Sequence, residues 1–564
     1  MSIRRAALSV VLLLVLSPLV QAQEPAPYVE VMEVGLTSVD VVVTDRSGQP
    51  VTGLKPADFE VYESGKLQQI TNFSEVGSKG TSAVLLAEGA APKETPAAPI
   101  VRKFIFYIDD SSLSLENRRT IFPAVRKFLA ANLHAGDQAM LVTWNRELKV
   151  RKRWTTNLAA FEAALTALEG EVSSASYLQG EKQRAERLIT KMDEEANQTG
   201  STLRPQWLEL ENAARAYAEA YRNDLTHSTN ALVRLLGSLA GVDGKKVLVF
   251  ATDSLPTLAG AELFEHLENV RNAALLTETS YLRGGAYSGS KITNLSRYNV
   301  QPMIDTLARA ANATGVTIYG LNPKGLGGPA SGKTELQMPR ASNVDFAASE
   351  QAFAGITILS NRTGGIAMVG APADLALERV SRDLNAYYSL GYRSTPAVSP
   401  ERKIEVRAKR PGLQVRARTD VYYRSLEREM ADRVIANHLQ LLPANELGVS
   451  LEADRVVSDG LRPLLPVRVV IPVDMLTLLP DGKGGVAGGF SVFTCTSDGS
   501  GSTSGVNVQK HALNFNAEQA AQMKGRRIGF SIQVPLEEGR DLISVGVIDH
   551  VSHEQGFVRM KAQL

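Results

Sequence analysis

The chain has almost no cysteine: Cys495 is the only one in 564 residues. No intrachain disulfide is possible, so the folded units rest on their hydrophobic cores. Cys495 itself reads as a small buried strand residue. An excess of one charge is also lacking. Lys and Arg total 61 against 60 Asp and Glu. That balance excludes the basic footprint of a nucleic-acid or polybasic membrane-binding protein. Histidine is sparse at seven residues, and none forms a His-Glu-x-x-His pattern. His550 and His553 stand isolated near the chain end and make no case for zinc.

Catalytic signatures are missing too. There is no Gly-x-Ser-x-Gly elbow, and Asp109 lacks the Asp-x-Asp of an aspartyl-phosphate loop. Gly327 to Thr334 (GGPASGKT) fits the P-loop pattern literally. A phosphate loop needs a strand directly before it and a helix directly after. Here the strand ends early, at Leu321, and Pro339 falls where the helix interior should be. The segment reads as a loop, and the chain as a non-enzyme.

Only one long apolar run is present, within Met1–Ala22 (MSIRRAALSVVLLLVLSPLVQA). Two arginines, a short apolar core from Ala6 to Leu16 and a small-residue end form the layout of a secretory signal peptide. The core is too short to span a bilayer comfortably. The expectation is cleavage after Ala22. The mature protein would then be periplasmic or secreted, with no transmembrane segment.

What is present points to several globular domains. The chain is 44% hydrophobic and 21% charged, and its length suggests roughly three or four domains. Val29 to Phe73 alternates apolar and polar residues, with Val39, Val41 and Val43 on one face and turns at Asp45–Pro50 and Glu63–Lys66. This predicts a small β module over 23–76. Gly77 to Pro99 is rich in Gly, Ala, Pro and Ser and reads as a linker, 77–100. From Arg102 strands and helices alternate, the mark of a parallel α/β sheet, over 101–390. Leu178 to Asp224 reads as an inserted amphipathic helical excursion packing on that domain. A β extension follows over 391–424, and strands with Gly-rich turns predict a β-sandwich over 425–564. Tyr387, Tyr388, Tyr392, Tyr422 and Tyr423 read as core or inter-domain packing.

The most informative stretch is FIFYIDDSSLS, Phe104 to Ser114. Five large apolar residues read as a strand buried on both faces. Asp109, Asp110, Ser111, Ser112 and Ser114 then crowd its carboxyl end, where open α/β sheets place ligands. Such hard oxygen donors suit Mg²⁺ or Mn²⁺ rather than zinc. The same residues also suit capping of the next helix.

Several phrases extend the pattern: VDVVVTDRSGQPVTGLKPADFEVYESGKLQQITNF (Val39–Phe73), RKFIFYIDDSSLSLENRR (Arg102–Arg119), GKKVLVFATDSLP (Gly244–Pro256) and GVTIYGLNPKG (Gly315–Gly325). NRTGGIAM, DLNAYYSLGY and KRPGLQVRAR follow. In this order they resemble the VWFA-related proteins of acidobacterial type, which contain a von Willebrand factor A (VWA) domain; the resemblance covers Tyr28 to Tyr423. It implies an α/β fold: a doubly wound, mostly parallel VWA (Rossmann-like) sheet flanked by the N-terminal β module and the C-terminal β-sandwich. It also implies protein–protein binding through a Mg²⁺ or Mn²⁺ adhesion-type site. There an Asp-x-Ser-x-Ser loop, a threonine and a further aspartate surround the ion, and a partner's carboxylate completes it. Two registers fit the first loop. Asp110, Ser112 and Ser114 match the spacing fully. Asp109 and Ser111 better match the strand end but put Leu113 in the third place. The third-loop aspartate is Asp253, and Thr229 or Thr226 stands for the threonine. Asn322 replaces the aspartate of the family's Tyr-x-x-Asp-Pro-x-Gly phrase. A scaffold with a metal-free VWA domain is the second reading. Neither the partner nor the oligomeric state is written in the sequence.

Overall fold

The structure is a computed structural model that describes residues 35–77, 80–85, 93–96, 101–171, 175–199, 207–278, 295–323, 343–394, 401–422, 425–439, 442, 445–458, 463–482, 484–498, 503–537 and 539–562. The signal-peptide segment, the P-loop-like segment and Tyr423 lie outside these residues. Among the described residues, no helix is long and apolar enough to cross a membrane.

The N-terminal strands are β1 (Gly35–Thr44), β2 (Phe59–Glu63), β3 (Lys66–Gln68), β4 (Ile70–Gly77), β5 (Gly80–Leu85) and β6 (Lys93–Pro96). The α/β domain follows with β7 (Arg102–Asp109), α1 (Leu115–Asn132), β8 (Gln138–Trp144), β9 (Leu148–Thr155), α2 (Leu158–Glu169), α3 (Ala175–Thr199) and α4 (Trp207–Ser238). It continues with β10 (Lys245–Ala251), α5 (Ala261–Glu278), α6 (Gln301–Thr314), β11 (Val316–Asn322), α7 (Asn343–Arg362), β12 (Ala367–Val369) and α8 (Ala373–Leu384). Its sheet runs β12-β11-β10-β7-β8-β9. All neighbours are parallel except the edge strand β9, which is antiparallel to β8. This is the mostly parallel, doubly wound sheet that the sequence predicted.

The centre of that sheet is β7, all eight of whose residues are buried. Period-2 alternation divides them between two cores. Phe104, Phe106 and Ile108 pack toward α1, α2 and α8. Ile105 and Tyr107 pack in the opposite core, with side chains from α4, α5, α6 and α7. Burying each such side chain favours folding by about 1.5–3 kcal/mol. The helical excursion is the pair α3 and α4. Ile189, Leu210, Ala214, Tyr217 and Tyr221 face the core, whereas Leu208 is 66% exposed.

The N-terminal module and the β extension prove to be one unit. After α8 come β13 (Tyr387–Ser394), β14 (Glu401–Ala408), β15 (Gln414–Ala417) and β16 (Asp420–Tyr422). Strand β13 inserts antiparallel between β1 and β4, β15 pairs with the other edge of β1, and β14 pairs with β2. The two sheets, β15-β1-β13-β4-β5-β6 and β16-β14-β2-β3, share one core. Val39, Val41, Val43, Phe59, Val61, Phe73, Tyr388, Leu390, Tyr392 and Ile404 all belong to it. The α/β domain is thus inserted into a sandwich built from both sides of it. This corrects the separate 23–76 and 391–424 units and the domain end at 390, because β13 begins at Tyr387. The stretch read as a linker, 77–100, also differs. It contributes β5 and β6, since backbone pairing along β4 and β5 overrides a composition poor in large apolar residues.

The C-terminal region opens with α9 (Leu426–Leu439). Strands β17 (Ser450–Ala453), β18 (Val457–Ser458), β19 (Pro463–Pro472), β20 (Leu479–Pro480), β21 (Val486–Ser497) and β22 (Asn507–Phe515) follow. After the short helix α10 (Ala517–Met523) come β23 (Arg527–Pro535), β24 (Leu542–Asp549) and β25 (Gln555–Lys561). Two antiparallel sheets face each other across Val467, Val469, Phe490, Val492, Ile532, Val545 and Val547, a β-sandwich. Helix α9 covers the outer face of one sheet, over Phe493 and the buried Cys495.

Tyr388 fastens the first sandwich. Its hydroxyl donates to the Val51 carbonyl at 2.8 Å and accepts from the buried Leu54 N–H at 3.1 Å. Its ring packs on Phe59 and Phe73. Tyr388→Phe keeps the ring and strands both backbone groups. It should lower stability by about 1–2 kcal/mol in denaturant unfolding. Unchanged stability would show that the hydroxyl does not hold this loop.

Candidate functional site

The carboxyl ends of β7 and β10 meet at a cluster of oxygens. Asp109, the last residue of β7, is 7% exposed. Its carboxylate accepts hydrogen bonds from Ser111 Oγ at 2.8 Å, Ser112 Oγ at 2.7 Å and Thr252 Oγ1 at 2.9 Å. Ser112 Oγ and Thr252 Oγ1 are themselves 2.8 Å apart. From the other side α4 brings Asp224, whose Oδ2 lies 3.1 Å from Ser111 Oγ.

The other predicted residues are placed differently. Asp110 is fully buried and points away, its Oδ1 3.4 Å from Arg118 Nε. Arg118 in turn donates to the carbonyls of Leu168 and Glu171. Leu113 occupies the third position of the Asp109 register. It is buried in the core beneath α1, so no third serine joins the cluster. Ser114 caps α1, accepting from the Asn117 N–H. Asp253 binds the same helix start, accepting from the Ser114 N–H at 2.8 Å and from the Asn117 amide. Thr229 lies on the buried face of α4, beyond Asp224, and is not one of the groups that meet Asp109. Thr226 bonds back to its own helix, to the Arg222 carbonyl. The structure therefore brings together Asp109, Ser111 and Ser112 but not Asp110, Ser114 or Thr229. Among the described residues, Asp253 meets the cluster through its backbone N–H, 3.2 Å from Ser112 Oγ.

Two members were missed. Thr252 directly precedes Asp253 at the end of β10, and strand alternation should have marked it. Asp224 sits in a helix full of charges, and nothing in its sequence context sets it apart.

Burial raises the Asp109 carboxyl from an ordinary 3.8 to about 6, against the pull of the Ser112 and Ser111 hydroxyls. The charge of Asp224 pushes it further up. Asp224 is also raised, again chiefly by burial, with the Ser111 hydrogen bond and the charges of Arg146 and His227 opposing. Beside the cluster opens a recess of about 320 Å³ between the β8–β9 turn, α3 and α4, lined by Ser111, Trp144, Arg146, Tyr177, Asp224 and His227 among others. Among the described residues no group of three or more His, Cys, Asp and Glu is arranged to hold a metal. A cation here would rest on hydroxyls and one or two carboxylates. That all-oxygen set suits Mg²⁺ or Mn²⁺.

Because the folded protein holds the Asp109 proton more tightly than the unfolded chain does, this group favours folding at low pH. The contribution is complete below 3.8 and is lost as pH rises through about 6. In EDTA, Asp109→Asn should flatten the fall in stability across that window. The difference from the parent should be on the order of 3 kcal/mol at pH 7. Parallel pH profiles of unfolding for the two proteins would disprove the assignment.

No family model matches the chain, and no curated protein matches it. Solved structures with some likeness include the vWF domain of the type V pili tip protein Mfa5 from Porphyromonas gingivalis. It shows 12% identity and a TM-score of 0.24, over 51% of this chain and 96% of that one. A three-domain N-terminal portion of Mfa5 gives 10% identity and a TM-score of 0.24, over 77% and 75%. The pilus adhesin SpaC from Lactobacillus rhamnosus GG, in an open conformation, gives 8% identity and a TM-score of 0.26, over 93% and 58%. At these values the likeness carries no functional argument, and function is read from the site itself.

Proposed function

We propose that this chain is an exported, non-enzymatic protein whose VWA-like domain holds a protein partner at the carboxyl end of its sheet, through Mg²⁺ or Mn²⁺. The observation that carries the reading is the buried Asp109 carboxylate ringed by the hydroxyls of Ser111, Ser112 and Thr252. Desolvating a carboxylate is costly, and a cation drawn from solvent would repay it. Mg²⁺ keeps several waters and takes few protein ligands, which leaves coordination positions for a partner's oxygen. Export rests on the signal-peptide layout of residues 1–22.

One Ser–His pair lies in the C-terminal sandwich, with its serine largely buried. Ser491 Oγ is 2.8 Å from His550 Nε2 in the C-terminal sandwich, but Ser491 is only 4% exposed.

The second reading is a scaffold whose site binds no metal. Leu113 in place of a serine, and Asp253 engaged with the start of α1, favour it. Thermal unfolding of the chain from Gln23, with EDTA, Mg²⁺, Mn²⁺ or Ca²⁺, separates the two. At 100 times its dissociation constant a cation should stabilise by about 2.7 kcal/mol. The rise should vanish in Asp109→Ala. It should persist in Asp110→Ala, although that variant starts less stable because Arg118 loses its buried partner. No rise with any cation would leave the scaffold.

A further inference from the structure

Asp224 is not a metal-loop residue, yet it is held at the metal loop. Ser111 Oγ stands 2.8 Å from Asp109 Oδ1 and 3.1 Å from Asp224 Oδ2. Two carboxylates converging on one hydroxyl repel each other, so something else must draw Asp224 inward. Arg146 and His227 both favour its charged form, and the Trp144 indole N–H faces it from β8. Trp144 is 3% exposed, and its Nε1 closes no hydrogen bond of ordinary geometry. Such a buried donor is costly unless an acceptor reaches it.

Arg146 is itself set for this place. It occupies the left-handed region, φ 61°, in the turn between β8 and β9, a conformation that a non-glycine residue rarely takes. Its guanidinium lies 4.8 Å over the ring of Tyr177 from α3. A hydroxyl, an indole N–H, a guanidinium and an imidazole thus line one recess. Together they form a donor set suited to a carboxylate, with charge-assisted bonds available from Arg146. Asp109 is an acidic neighbour that opposes it.

We propose that this recess is a receptor for an acidic side chain of a protein partner, and that in the free chain Asp224 of α4 occupies it as an internal ligand. The inference rests on the partner-binding reading above but not on the metal. An incoming carboxylate must displace Asp224, so the helical insertion sets the threshold for binding. Removing the Asp224 carboxylate leaves the receptor open.

The test uses a fluorescein-labelled peptide of alternating Gly and Asp, with a Gly-Asn counterpart, read by anisotropy in Mn²⁺ and in EDTA. Asp224→Ala should bind the acidic peptide roughly tenfold tighter than the parent, or more, and show no gain for the Gly-Asn peptide. Adding Arg146→Glu should abolish the gain. Asp224→Asn, which keeps the shape, should gain in the same direction and serves if the alanine variant fails to fold. No gain in a folded Asp224 variant, or a gain that survives Arg146→Glu, overturns the proposal. A gain equal in EDTA and Mn²⁺ upholds it as a receptor that works without the metal. Cation-dependent melting without any gain removes this proposal alone.

Discussion

The architecture depends on the return of β13 to the space between β1 and β4. Gly35 pairs with Ser394, and Tyr387 with Val76, across more than three hundred residues. Until that strand arrives, the apolar faces of β1 and β4 lack their partner, and the N-terminal strands have no complete core. Closing so long a loop costs entropy, and long-range pairing of this kind slows folding. The α/β domain closes its own sheet between Arg102 and Val369, and its folding brings the two halves of the sandwich together.

Charged contacts then fix the inserted domain on the sandwich. Lys245 at the start of β10 meets Asp40 of β1 at 2.5 Å and lies over the ring of Tyr387. Asp383, buried at the end of α8, takes Arg416 of β15 at 2.7 Å. Arg362 at the end of α7 bridges Asp305 and Asp420. Exposed ion pairs contribute little. Asp383 and Asp420 are buried, and removing the arginine from either would leave a desolvated charge. Their role is to fix orientation, which keeps the carboxyl end of the sheet clear of the sandwich that its strands enter from.

The C-terminal sandwich attaches through α9, and two glycines permit the approach. A Cβ at Gly546 would fall 2.5 Å from Val434, and one at Gly241 would fall 2.3 Å from the Arg433 Cα. Gly241 follows the end of α4, and Arg433 pairs with Asp243. The helix that carries Asp224 to the oxygen cluster is therefore anchored at its far end by the C-terminal domain. The position of the acidic group in the recess depends on packing well away from it.

The sequence alone determined the strands and helices that are strongly periodic. Phe104 to Asp109 could only be a doubly buried strand, and Val39, Val41 and Val43 could only share a face. Asn157 caps α2, its side chain accepting the Ala160 N–H. The sequence also placed hydroxyls and carboxylates at the end of the first α/β strand. It left open which aspartate faces them. Neighbouring residues at a strand end point to opposite sides, and only the packed helices show that Arg118 waits on one side and Thr252 on the other. The linker at 77–100 hid two strands, because backbone pairing leaves little mark on composition. Asp224 was invisible for a similar reason. A helical pattern tells which face is buried, but a contact between residues 111 and 224 exists only after the chain has folded.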